Sequence, residues 1–485
     1  MTNLKNLSLK ELREGLDKKD FSAKDLTENS LKEIEKNKDL NAFISVFADN
    51  ALSQANIADK IIAEGKAKSL TGIPISVKDN ILFKDYLTTC ASKFLANFVP
   101  PYNATVTNKL LENNAVIVGK TNLDEFAMGS STENSSYGNV LNPWNKTKVP
   151  GGSSGGSASA VAAGLTRAAL GTDTGGSIRQ PAAYCGISGM KPTYGRVSRY
   201  GVIAYASSLD QVGPLARSVE DLAIMTNVLA GKDSLDSTSL DKEVPDFTKN
   251  LGQEIKGLRV GVPKEYFIDG VDKEVKEKVL DAIKIFENSG AEIIEISLPH
   301  TKFAVPCYYI IAPAEASSNL SRYDGIRYGV RADDYDSLID LYCNSRSEGF
   351  GDEVKRRIMV GTYVLSSGYY DAYYLKAQKV RRLIKDDFTN VFDSQCDVII
   401  SPTAPTTAFG LNEKTDDPVK MYLNDIFTIP VNLAGLPAMS IPCGFDSSKL
   451  PIGLQLIGRP WDEETLFKAG YAYQQNTSWH NENAF

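Results

Sequence analysis

Histidine is almost missing from this chain of 485 residues: only His300 and His480 occur, and His480 sits in the polar tail Thr477-Ser478-Trp479-His480-Asn481. A histidine-rich metal centre is excluded on supply alone, and a serine hydrolase that uses a histidine base is disfavoured. The cysteines (90, 185, 307, 343, 396 and 443) are widely spaced, with no C-x-x-C pair, so they read as buried, reduced thiols and no metal site is expected. No apolar run approaches the roughly 18 residues of a membrane span. The start, Met1-Thr-Asn-Leu-Lys-Asn-Leu-Ser-Leu-Lys10, lacks the apolar core of a secretory signal. Positive charge is also short: 53 Lys and Arg stand against 60 Asp and Glu, a net charge of −7. That argues against broad coating of a phosphate backbone, although contact with nucleic acid through a partner stays open. The expectation is a cytoplasmic protein with no membrane contact.

What is present is an ordinary globular composition, 42% hydrophobic and 23% charged. The length suits about three domains or one large α/β domain. Ser8-Leu9-Lys10-Glu11 reads as a capping box ahead of Leu12 and Leu16, and a second helix follows Ser22 with Leu26, Leu31 and Ile34 as its stripe. Strands are expected at Gly72–Lys78, Ala115–Val118, Leu258–Val262, Ile293–Ile296, Val398–Ile400, Met439–Ile441 and Gly453–Ile457. Helices are expected at 157–164, 272–289 and 462–475, with 352–393 broken near Ser366-Ser367-Gly368. The Ser/Asn/Gly-rich stretch 129–157 and the segment Gly171–Ser177 read as loops, and 231–256 as a polar connection. Strands alternating with helices give an α/β fold with a mixed central sheet covered by helices on both faces.

Three motifs carry chemistry. Gly119-Lys120-Thr121 ends like a phosphate-binding loop, but the required glycine at 114 is Asn114, so the pattern fails. Gly151-Gly152-Ser153-Ser154-Gly155-Gly156 satisfies G-x-S-x-G with either serine at the centre. A nucleophile elbow needs a preceding strand and a histidine base, and neither is supplied. The third is Asp173-Thr174-Gly175-Gly176-Ser177, whose successive N–H groups from Thr174 to Ser177 can cradle an oxyanion beside a serine hydroxyl. Without histidine, a lysine can serve as base if burial lowers its pKa from about 10.4 toward neutrality. Lys78, at the end of Ile75-Ser-Val-Lys78, is the best placed, although a lone lysine is more often a solvated charge.

Together, Val77-Lys78-Asp79, Pro150-Gly-Gly-Ser153-Ser-Gly-Gly-Ser157 and Gly171-Thr-Asp-Thr-Gly-Gly-Ser177-Ile-Arg-Gln-Pro181 resemble the amidase signature family, with Lys78, Ser153 and Ser177 spaced 75 and 24 residues apart. The resemblance implies one amidase domain over 1–485: a helical segment to about 66, a core over about 67–475, and a polar tail at 476–485. It implies Ser177 as the acyl-forming nucleophile, Ser153 in a cis peptide as proton relay, and Lys78 as the ultimate base. Glu315–Arg327, Lys355–Ile358, Ser366–Tyr373, Asp425 and Pro430–Pro437 further resemble the glutaminase subunits of the tRNA-dependent amidotransferases, a branch of that family. On that likeness the chain hydrolyses glutamine and passes ammonia to a partner, the B subunit. With ATP and Mg, the B subunit then converts mischarged Glu-tRNA(Gln) to Gln-tRNA(Gln), with Asp-tRNA(Asn) as a possible second substrate, while the small C subunit holds the heterotrimer together. No cofactor is expected on this chain itself.

Free glutamine carries a carboxylate and an ammonium, so its pocket needs one charge of each sign. The matching motifs imply Arg357 for the carboxylate and Asp425 for the ammonium, with Tyr308 or Tyr309 adding a hydroxyl and Ser130 also lining the pocket. One stretch departs from the family pattern, Asn139-Val140-Leu141 after Gly138, and it touches no expected site residue. The alternatives are a stand-alone amidase of simple or aryl amides, which would lack the Arg357–Asp425 pair, and a catalytically silent assembly protein, against which intact Lys78, Ser153 and Ser177 argue.

Overall fold

A computed structural model describes residues 4–267, 270–414 and 418–484. Its centre is one mixed sheet of eleven strands. In chain order these are β1 (Phe43–Val46), β2 (Pro74–Lys78), β3 (Val116–Thr121), β4 (Ala168–Asp173), β5 (Ser188–Lys191), β6 (Gln211–Ala216), β7 (Arg259–Pro263), β8 (Glu292–Ile296), β9 (Val398–Pro402), β10 (Ala438–Phe445) and β11 (Pro451–Gly458). They lie in the order β1-β3-β2-β4-β6-β5-β10-β11-β9-β7-β8. β2 runs parallel to both β3 and β4, and β4 is antiparallel to β6. Every residue of β2, β3 and β4 is buried. Since side chains alternate between faces, helices cover the sheet on both sides. The outermost strands β1 and β8 are the partly exposed ones.

The expected capping box forms, Ser8 with Glu11 ahead of the helix Leu9–Lys18, and a second, not foreseen, joins Ser22 and Asp25 ahead of Ala23–Lys36. Leu9, Leu12 and Leu16 are buried against the core, and the Leu9 N–H donates to Asp221 Oδ1 at 2.8 Å. The segment expected to be only helical up to about residue 66 also contributes β1, which pairs with β3. Two boundaries near the site differ from expectation. β4 extends through Gly171-Thr172-Asp173, because β6 pairs with it as far as Asp173 opposite Gln211. The helix ahead of β4, Gly155–Ala162, starts earlier than expected, at Gly155 rather than Ser157, since Thr132 Oγ1 and the Asn122 carbonyl accept its first N–H groups.

Gly119-Lys120-Thr121 is strand, not loop, and Lys120 is buried 3.0 Å from Asp79 Oδ1. His300 pairs with Asp387 at 2.8 Å. Five of the cysteines are buried, but Cys343 is exposed, on the helix Leu338–Gly349. Among the described residues no helix is long and apolar enough to cross a membrane, and no cluster of His, Cys, Asp and Glu could hold a metal ion.

Candidate active site

β2 delivers Lys78 into the interior, where its side chain is fully buried. Nζ lies 2.7 Å from Ser153 Oγ, 2.9 Å from Ser154 Oγ and 2.9 Å from Thr172 Oγ1. No carboxylate is among these partners. Burial therefore dominates and pushes the ammonium from 10.5 down to about 7, against the weaker pull of Cys90, Asp124, Asp173 and Asp210. Ser154 donates its proton to the Thr172 carbonyl at 3.0 Å, so Lys78 must donate to Ser154. Ser153 and Thr172, the latter accepting from Asn80 at 3.0 Å, are the hydroxyls left that can give a proton to a neutral Lys78, and Ser153 is the nearer, at 2.7 Å.

The Gly152–Ser153 peptide is cis. Its surroundings fix it closely: Gly152 N–H donates to Gln180 Oε1 at 3.0 Å, and Asp124 N–H donates to the Ser153 carbonyl at 3.3 Å. A Cβ on Gly152 would stand 2.1 Å from Asp124 Oδ2, so only glycine fits. Ser154 N–H donates to the Ser177 carbonyl at 3.1 Å, which ties the two glycine-serine segments together and seats Ser177 beside the Ser153 turn.

Asp173, ending β4, organises the segment that bears Ser177. It accepts from the N–H groups of Gly176 and Ile178 and is ion-paired with fully buried Arg179 at 3.0 Å. Burial pushes this carboxyl up, but Arg179, Lys191 and Asn432 outweigh it and hold it at about 2. Of the four N–H groups expected in an oxyanion cradle, that of Gly176 is already committed to Asp173. The N–H groups of Thr174, Gly175 and Ser177 do not donate to this carboxylate.

Of the expected recognition residues, Tyr308 and Asp425 lie against the same segment. The Tyr308 ring and hydroxyl lie against Gly175, where a Cβ would meet them at 2.8 and 2.9 Å. Asp425 Oδ1 comes within 3.3 Å of a Cβ built on Gly176. Asp425 is buried, and Oδ1 has no hydrogen-bond partner; neither do the buried hydroxyls of Ser130 and Ser131. Burial pushes the Asp425 carboxyl up to about 8, with the adjacent Ser130 hydroxyl and Arg357 pulling weakly the other way. Arg357 is buried and donates to Glu353 at 2.7 Å, to the Tyr205 hydroxyl at 2.7 Å and to the Gly129 carbonyl at 2.7 Å. Three of its five N–H groups are thereby used and two remain. Tyr309 stacks on Tyr422 at 3.7 Å, and both rings lie 5.4 Å from the Arg357 guanidinium.

Sequence reasoning thus selected residues that the fold assembles in one place, and it missed Ser154, Thr172, Tyr205, Glu353 and Tyr422. Ser154 and Thr172 stand inside motifs already singled out, and their hydrogen-bonding hydroxyls were a usable signal. Glu353 carried one in its i,i+4 spacing to Arg357, whereas Tyr205 carries none, because its role exists only through Arg357.

A family model described as Amidase matches residues 25–467. Among curated proteins, the A subunit of glutamyl-tRNA(Gln) amidotransferase from Methylobacillus flagellatus is 58% identical over 480 residues, 98% of each chain. Among solved structures, the A subunit of glutamyl-tRNA(Gln) amidotransferase from Thermotoga maritima is 42% identical with a TM-score of 0.80, covering 98% of this chain and 96% of that one. The native peptide amidase of Stenotrophomonas maltophilia is 28% identical with a TM-score of 0.83, covering 97% of this chain and 96% of that one. The match to the family model over most of the chain, and the lysine-serine arrangement beneath it, make this protein a member of the amidase signature family.

Proposed function

We infer that this chain is the glutamine-hydrolysing subunit of a tRNA-dependent amidotransferase. The observation that carries the reading is a buried lysine among the serine hydroxyls, together with two buried recognition groups, the Arg357 guanidinium and the Asp425 carboxyl whose Oδ1 is left without a hydrogen bond. An unpaired buried carboxylate oxygen is costly unless a cation fills the place, and the α-ammonium of glutamine is such a cation. Arg357 retains two N–H groups for the α-carboxylate.

The proposed chemistry follows from the proton positions. Neutral Lys78 takes the Ser153 proton as Ser153 takes that of Ser177, and Ser177 Oγ attacks the side-chain amide carbon. The oxyanion is met by the N–H groups of Thr174, Gly175 and Ser177. The proton returns through Ser153 to the leaving nitrogen, so ammonia departs and a γ-glutamyl ester remains on Ser177. Water, deprotonated along the same path, cleaves the ester, and glutamine plus water becomes glutamate plus ammonia.

The names of the similar amidotransferase proteins support a place in a heterotrimer with B and C subunits. There the ammonia would amidate Glu-tRNA(Gln) on the B subunit with ATP and Mg, in the cytoplasm. The test compares glutamine with a neutral amide as substrates of the assembled complex. Arg357→Ala strands a carboxylate in a partly desolvated pocket, a loss on the order of 2–5 kcal/mol. It should raise KM for glutamine strongly while sparing the neutral amide, and Asp425→Asn should do the same. If the ratio of kcat/KM for the two substrates keeps its wild-type value in both variants, the pocket is not built for an amino acid, and an amidase of simple amides replaces this reading.

A further inference from the structure

The antiparallel register that sets Asp173 opposite Gln211 places the next residues, Thr174 and Asp210, opposite each other just beyond the strand ends. Asp210 is buried, and its hydrogen-bond partners are all neutral. Its two oxygens face different parts of the site. Oδ1 accepts from Thr174 Oγ1 at 2.7 Å, on the oxyanion segment. Oδ2 accepts from the N–H groups of Tyr205 at 2.9 Å and Ala206 at 3.0 Å. Tyr205, itself buried, accepts a hydrogen bond from Arg357 through its hydroxyl and lays its ring 5.6 Å from the guanidinium.

We propose that Asp210 is a positioning residue that sets, from one carboxylate, both the oxyanion segment through Thr174 and the arginine end of the pocket through Tyr205. A buried carboxylate held only by neutral donors is an expensive way to fill space. Its two oxygens here fix two elements that come from separate parts of the chain and must agree in position for the amide to reach Ser177. The Tyr205 arm rests on the reading of Arg357 as the carboxylate partner, whereas the Thr174 arm is independent of it.

The test uses the assembled complex, with glutamine and a neutral amide as substrates. Thr174→Val keeps the backbone donor but deletes the hydroxyl, and should lower kcat for both substrates on the order of tenfold through a displaced cradle. Thr174→Ser, which keeps the hydroxyl, should restore it. Tyr205→Phe should raise KM for glutamine roughly tenfold by weakening the hold on a charged group, and leave the neutral amide alone. Asp210→Asn should show both effects, and adding Thr174→Val to it should cost kcat little more. The proposal is overturned if the Asp210→Asn and Thr174→Val losses multiply in the double variant, or if Thr174→Ser is as impaired as Thr174→Val. Should Asp210→Asn fail to fold, the serine-valine comparison on the neutral amide still decides the Thr174 arm. Because the neutral amide does not engage Arg357, failure of the glutamine reading would alter only the Tyr205→Phe result.

Discussion

The two perturbed groups of the site predict different pH profiles for kcat and kcat/KM. Lys78 acts as a base only when neutral, and burial brings its pKa from 10.5 to about 7. At pH 7.5 that raises the neutral fraction from about one in a thousand to about three quarters. Once glutamine is bound, Lys78 is the group on the proton path still to titrate, while Asp124 and Asp210, pushed up by burial to about 7 and about 6, lie off that path; kcat should fall about tenfold from pH 8 to pH 6 on the lysine's account. Asp425 must be ionised to receive the ammonium, and its carboxyl stands at about 8 in the free protein. Protonation of Asp425 therefore weakens glutamine binding as pH falls, and kcat/KM, which reports the free enzyme, should drop about five-hundredfold over the same interval. Glutamine binding near pH 7 should also release a proton, measurable by calorimetry in two buffers of different ionisation enthalpy. The assay is glutamate release by the assembled complex. Lys78→Arg, permanently charged, should be nearly as inactive as Lys78→Ala despite keeping a cation in place. A kcat that stays flat from pH 8 to pH 6, or a Lys78→Arg variant close to wild type, would refute the lysine as base. Parallel limbs for kcat and kcat/KM would refute the part given to Asp425.

Ser177→Ala should abolish glutamine hydrolysis while the complex still amidates its tRNA substrate from free ammonium, since on the proposed function the second reaction belongs to another protein of the complex; retained glutamine-dependent product would displace Ser177 as nucleophile. Arg179→Met should leave the Asp173 carboxylate buried without its cation, a destabilisation of about 3–5 kcal/mol in a denaturant titration. A loss below about 1 kcal/mol would mean that Asn432 and the backbone donors suffice to hold Asp173.

The α/β class and the strands β2, β3, β7 to β11 were legible because Ile, Val and Leu runs announce buried strands. β5 and β6 were not, since Ser188-Gly-Met-Lys191 has no β-branched residue and Gln211-Val-Gly-Pro-Leu-Ala216 contains both glycine and proline. These stretches are strands because the neighbours supply the pairing: β5 bonds β6 only at Leu215 and Ala216, so Pro214 removes no bond to that neighbour. The site was legible where it is local. Ser153, Thr174 and Ser177 lie within glycine-serine motifs, and Gly176–Asp173 and Arg357–Glu353 are also local, three and four residues apart, but the bracing of Arg357 by Tyr205 arises from tertiary contact, which no spacing encodes.

The order of the site residues along the chain bears on how such a protein diversifies. Lys78, Ser153 and Ser177 all come from the first two-fifths of the sequence, on β2 and on the segments that flank β4. Tyr308, Tyr309, Arg357 and Asp425 come from a later stretch, on the helices Ala304–Asn319 and Asp352–Leu365 and the turn Leu423–Asp425. The two helices pack so closely that a Cβ on Gly361 would overlap the Pro313 carbonyl, and they form one packed unit beside the catalytic strands. The proton path is thus written in the earlier passage of the gene, and most of the recognition groups in the later one, with Ser130 and Tyr205 as earlier contributions to the pocket. Mutations can accumulate in the later passage, retuning which amide is admitted, while the proton path of the earlier one is inherited unchanged.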